Sequence, residues 1–122
     1  MDTIATMHFN AFPVNDDAIA LEISVTGLHG GHSGDEIHKG FGNSVKIMNR
    51  LLWHISNQSK ISLANFDGGN LRNAIPRESF STIVTDKTNR EFITIRINTS
   101  PVRSSASDTS WTRDQINRKI CS

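Results

Sequence analysis

The run from Ile19 to Thr26 constrains this chain most. Ile19, Leu21, Ile23 and Val25 alternate with Ala20, Glu22, Ser24 and Thr26. Only an extended strand puts all four larger apolar side chains on one face. Directly after it comes Gly27-Leu28-His29-Gly30-Gly31-His32-Ser33-Gly34, four glycines in eight residues. Such a stretch cannot hold regular structure and lets the main chain approach another group closely.

A helix is expected next. Val45, Met48, Leu52 and Ile55 recur at helical spacing with Leu51 beside them, and Asn43 is placed to cap the first turn. Asn57 and Ser59 mark its exit, and Trp53 extends the stripe at its edge. Ile61 to Phe66 reads as a short strand broken by Asp67-Gly68-Gly69-Asn70, and Leu71 to Glu78, which includes Pro76, reads as irregular. Phe80 to Thr85 reads as a third strand. Phe92 to Asn98 reads as a fourth, with Ile93, Ile95 and Ile97 on one face and an antiparallel hairpin between the two. A weak helix starts near Ser107 or Asp108, with Ile116 and Ile120 as its clear apolar pair. The predicted order is β-α-β-β-β-α. Each strand keeps a polar face, so the fold class is α+β, an antiparallel sheet packed on helices.

Residues 1–122 fit one domain on length alone. With 13 basic and 12 acidic side chains, the net charge of +1 supplies no long-range field, which argues against a nucleic-acid or acidic-membrane binder. Cys121 is the single cysteine, so no intramolecular disulfide can form, in keeping with a cytoplasmic setting. No apolar run approaches the ~18 residues of a membrane span, and the N-terminus lacks the pattern of a signal peptide.

Two clusters could carry chemistry. His29, His32 and His38, with Asp35 and Glu36, bring three imidazoles and two carboxylates into ten residues. These are donors that suit zinc, but the His29/His32 spacing lies on glycines that cannot hold a helical ligand pair. Histidines facing solvent or a substrate are the other reading. A serine-hydrolase elbow, a phosphate loop and a dinucleotide fingerprint each lack required residues. The second cluster is Gly68-Gly69-Asn70-Leu71-Arg72-Asn73-Ala74-Ile75-Pro76-Arg77. Its arginines and amides suit carboxylate recognition, and a structured turn accounts for them equally well. Arg103, taken alone, reads as a solvated charge.

At these loops the chain resembles a known family. Residues 20–40 with Gly42-Asn43, then Phe66-Asp67-Gly68-Gly69-Asn70-Leu71-Arg72-Asn73-Ala74-Ile75-Pro76-Arg77-Glu78 and Pro101-Val102-Arg103-Ser104-Ser105, are similar to the lid domain of aminoacyl-histidine dipeptidases. These Xaa-His dipeptidases, or bacterial carnosinases, belong to the co-catalytic zinc peptidases. The resemblance covers roughly residues 17–120. It implies a ferredoxin-like lid, or dimerisation, domain inserted in a separate metal-binding domain, with helices on one face and a homodimer paired by a sheet edge or helices. It also implies a dipeptide substrate and two zinc ions in that other domain, with no cofactor held by this chain. His32 would polarise the scissile carbonyl, and Asn73 and Arg103 would bind the substrate's carboxylate or backbone.

Two departures bear on this. The family's metal-binding His-x-Asp motif does not occur here, so the catalytic half is expected to be absent and the chain inactive alone. Relatives also carry a long segment between the strands matching Phe80–Thr85 and Phe92–Asn98, where only Asp86 to Glu91 stands in this sequence. The final lid strand is expected to be missing after Ser122. The alternatives are a self-associating interaction module without a catalytic role, and a small metalloprotein using His29, His32 and His38.

Overall fold

The alternating run forms β1, Ala18–Val25, with Leu21, Ile23 and Val25 buried and Ala20, Glu22 and Ser24 turned to the other face. The structure, a computed structural model, describes residues 4–99 and 116–121. After β1 come β2 (Gly31–His32), α1 (Ser44–Ser56), β3 (Ser62–Gly68), β4 (Ala74–Ile75), β5 (Ser79–Asp86), α2 (Arg90–Thr99) and β6 (Ile116–Cys121).

The main sheet has the order β3-β5-β1-β6, antiparallel throughout. β1 and β5 pair from Ala18↔Asp86 to Val25↔Ser79, and β3 follows β5 with a bulge between Leu63 and Asn65. With α1 and α2 as crossovers, this is the ferredoxin-like βαββαβ arrangement. A separate pair, β2 with β4, joins the two loops at one end of the sheet.

Both helices contribute to one core. Ile47, Met48, Leu51 and Ile55 of α1 and Ile93 and Ile97 of α2 cluster with Leu21, Ile23, Val25 and Ile83 of the sheet. The inward face of β5 is mostly polar, yet its groups are satisfied. Ser79 Oγ donates to the carbonyl of Ser44 at 3.0 Å, Ser81 Oγ to that of Asn65 at 3.2 Å, and Thr85 Oγ1 to that of Lys60 at 2.9 Å. These bonds offset the desolvation cost of burying hydroxyls, and the first of them fixes strand to helix. Asn43 caps α1 as expected, its Oδ1 accepting from the amide of Lys46 at 3.1 Å.

Three expectations need correction. Phe92 to Asn98 is helical and makes no hairpin with β5. The isoleucines at 93, 95 and 97 alternate, but only Ile93 and Ile97 are buried, while Ile95 is 52% exposed. Positions i and i+4 share a face in either geometry, and the helix lets Arg96 lie over the Phe92 ring at 4.9 Å. The weak C-terminal helix is strand over Ile116–Cys121, registered on β1 from Val25↔Ile116 to Ala20↔Cys121. A spacing of four, as between Ile116 and Ile120, fits both periods. The last sheet strand is therefore within the chain, and the element order runs strand-helix-strand-strand-helix-strand. The short stretch from Asp86 to Glu91 consequently leads into α2 and does not join two strands.

Because Ile23 and Leu51 are fully buried at the centre of this core, Ile23→Ala or Leu51→Ala should each cost about 2–5 kcal/mol. Urea denaturation of the purified chain measures it. A loss below roughly 1 kcal/mol would contradict this placement.

Candidate functional site

Glycine-rich segments meet at the end of the sheet where β1 finishes and β5 begins. Gly31 pairs with Ile75 and His32 with Ala74, and the amide of Ser33 donates to the carbonyl of Asn73 at 2.9 Å. The amide of Ser44, the first helical residue of α1, donates to the carbonyl of Pro76 at 2.9 Å. The two clusters singled out in the sequence are thus bonded together through main chain. Leu71 to Glu78, read as irregular, contains the short strand that does this. Glycine is required for the approach: Gly30 has φ +72°, and a Cβ there would lie 3.4 Å from Arg77 Cβ.

The His32 ring is oriented by its own loop. Its Nδ1 accepts from the amides of Gly34 and Asp35, both at 3.1 Å. An Nδ1 that accepts carries no proton, so the neutral ring holds its hydrogen on Nε2, which becomes a donor. Asp35 Oδ2 also lies 3.6 Å from Nδ1, a contact that would be an ion pair only with Nδ1 protonated. The two amides point their hydrogens at the same nitrogen and exclude that proton. The carboxylate, 87% exposed, is a neighbour and no partner. Gly34 leaves room for this geometry, since a Cβ there would sit 3.3 Å from the ring's Cε1 and push the ring by a few tenths of an ångström.

The other histidines play different parts. His29 stacks on Phe41, with centroids 4.2 Å apart, and its Nδ1 donates to the carbonyl of Gly30 at 3.0 Å. His38 is exposed in the short helical turn Ile37–Lys39. Among the described residues no group of three His, Cys, Asp or Glu side chains is placed to hold a metal ion. With His29 stacked and His32 Nδ1 already occupied, the described residues do not fit a resident zinc.

Asn73 is exposed beside this loop, one position from the residue paired with His32. Arg103 lies outside the described residues. A cavity of about 360 Å³ adjoins the joined loops, lined by His29, Gly30, Asn70, Leu71, Ile75 and Arg77 among others. Neither His32 nor Asn73 lines it. A broader depression of about 950 Å³ near Asp17 and Asp86 is at the opposite end of β1 and holds none of the expected site residues.

Sequence reasoning missed Glu36 as a structural partner of His32. Its Oε2 accepts from the amide of His32 at 2.8 Å, and its Oε1 accepts from Lys39 Nζ at 2.9 Å. The bond from Lys39, then that from the His32 amide, holds the carboxyl below its ordinary value of 4.5. A lowered carboxylate adds a charge-dependent share to the folded loop's stability above 4.5, and that share is lost as pH falls through the depressed value. The His32 amide resonance should therefore titrate with a midpoint below 4.5, and Lys39→Met should move that midpoint upward. A wild-type midpoint at or above 4.5 would contradict the arrangement.

The comparisons with known proteins agree with this architecture. The peptidase dimerisation domain of the M20 peptidases matches residues 18–91. The cytosol non-specific dipeptidase of Escherichia coli (strain K12) is 41% identical over 83 residues, covering 68% of this chain and 17% of that protein. The crystal structure of aminoacylhistidine dipeptidase from Vibrio alginolyticus aligns with 91% of this chain and 22% of its own, at 30% identity and a TM-score of 0.64. An amidase of the hydantoinase/carbamoylase family from Burkholderia multivorans, 14% identical with a TM-score of 0.62 over 85% of this chain and 27% of its own, shares the fold. The chain spans about a fifth of the length of the two dipeptidases. A ferredoxin-like sheet with a matching profile over most of its described length places this chain in the dimerisation-domain family of the M20 peptidases.

Proposed function

We propose that this chain is the substrate-facing lid and pairing domain of a metal-dependent dipeptidase that cleaves Xaa-His dipeptides, and that it is inactive alone. The observation that carries the reading is the His32 ring, whose Nδ1 is occupied by two backbone amides so that Nε2–H is left as the donor. A fixed donor of this kind suits the negative charge that develops on a scissile carbonyl oxygen. Asn73, on the loop bonded to that of His32, would contact the substrate's carboxylate or backbone, and Arg103 would share that role. The Xaa-His preference rests on the likeness to the Vibrio enzyme. The metal ions, two zincs by that family resemblance, would belong to another domain and supply the activated water there. A cytosolic setting follows the E. coli relative, and no helix among the described residues is long and apolar enough to cross a membrane.

Pairing would use the β3 edge. All seven β3 residues are exposed, Leu63 at 58%, and Trp53 of α1 beside them is 69% exposed. Leu52, Trp53, Ile61, Leu63 and Phe66 line a shallow apolar hollow of about 270 Å³ there. An open edge beside apolar side chains is a surface that a second copy covers by extending the sheet. Light scattering should give a dimer at roughly micromolar concentration, the weak end of the range for standard-sized interfaces, and Trp53→Glu should give a monomer. A wild-type monomer at all concentrations would refute the pairing role.

The catalytic role is tested by replacing the matching segment of the E. coli dipeptidase with residues 18–91 of this chain. The 122-residue chain alone should not hydrolyse carnosine, whereas the chimera should. His32→Gln in the chimera should lower kcat by about 10²–10³, the usual cost of one oxyanion donor. An unchanged kcat would sink the role given to His32.

A further inference from the structure

Glu36 holds both main-chain polar groups of His32. Its amide donates to the carbonyl of His32 at 3.0 Å, and its Oε2 accepts from the amide of His32 at 2.8 Å. Between these two bonds lie Ser33, Gly34 and Asp35, and the last two supply the amides that point at the imidazole Nδ1. The carboxylate is itself pinned. Lys39 Nζ donates to Oε1 at 2.9 Å, and the amide of Lys39 donates to the carbonyl of Glu36 at 3.0 Å. Lys39 also lies over the Phe41 ring at 5.7 Å, the ring on which His29 stacks. The space for the carboxylate is made by a missing side chain, because a Cβ on Gly31 would sit 2.9 Å from Glu36 Oε2 and 3.0 Å from Phe41.

We infer that Glu36 is a positioning residue for His32: the reach of its side chain closes the turn that aims two amides at Nδ1 and so holds the proton on Nε2. The inference rests on the reading of His32 as the substrate-facing donor, and it deepens that reading by naming what orients the ring. Reach and charge separate cleanly here. Glutamine keeps the length and a carbonyl oxygen that accepts from the His32 amide. Aspartate keeps the charge but is one methylene too short to close the turn. A residue acting only as a counter-ion for Lys39 would show the opposite ranking.

The test uses the ¹⁵N-labelled full chain and its Glu36→Gln, Glu36→Asp and Glu36→Ala variants. The ring nitrogens of His32 are read by long-range ¹H–¹⁵N correlation, at a pH well above the usual imidazole range. Wild type and Glu36→Gln should both show the Nε2–H tautomer. In Glu36→Asp and Glu36→Ala the tautomer ratio should fall by roughly 2–10-fold, the loss expected for one typical hydrogen bond. Ring signals unchanged in all variants would overturn the proposal. So would Glu36→Gln behaving like Glu36→Ala, or Glu36→Asp behaving like wild type. If Glu36→Ala does not fold, the Gln and Asp pair alone decides. Catalysis is no part of this readout, so its failure is distinct from a failure of the His32→Gln chimera.

Discussion

Main-chain hydrogen bonding between two glycine-rich loops is the constraint on which the loop end of this domain depends. A loop of four glycines has many conformations and no reason to keep one. The β2–β4 pair, with Ser33 bonded to Asn73 and Ser44 to Pro76, gives it one. The His32 ring, the Glu36 clamp and the Asn73 side chain inherit their positions from that seam. The seam in turn is anchored on the sheet and on the start of α1, because Ser79 at the head of β5 donates to the carbonyl of Ser44. Sheet, helix terminus and both loops therefore share a junction at this end of the core.

The economy of the site lies in small residues. Gly31 leaves room for the Glu36 carboxylate and the Phe41 ring, Gly34 lets the imidazole lie against its own turn, and Gly30 admits the stem of Arg77. A side chain at any of these positions would meet atoms closer than ordinary contact or nearly so. None of the three glycines bears a functional group, yet each decides where one goes. The same logic explains why His29 and His32, three residues apart, do different work: one donates from Nδ1 and stacks, the other accepts at Nδ1.

The sequence made β1, α1 and the Asn43 cap legible, because strict alternation and a helical stripe each gather the larger apolar residues on one face. β5 was legible from its β-forming residue types, although its inward face is mostly polar. It misled at α2 and β6. Ile93 and Ile97, like Ile116 and Ile120, are four apart, and that spacing belongs to a helix and to a strand alike. Which applies is settled by the partner surface, the core face for α2 and the free edge of β1 for β6. At the site, residue types announced both clusters, but nothing periodic could show that they join. Glu36 was visible only as one more carboxylate near histidines, since a side chain reaching back to a main-chain amide leaves no pattern in composition.

The central claim is that the two loops form one unit that holds His32 in place, and amide hydrogen exchange tests it most directly. The amides of Ser33 and Ser44 each donate to the opposite loop. They should exchange slowly and with a shared opening free energy, well apart from the exposed residues 69–71. Ser33 exchanging as fast as residues 69–71 while Ser44 stays protected would show that the glycine loop moves independently, and the account of an oriented His32 would fail.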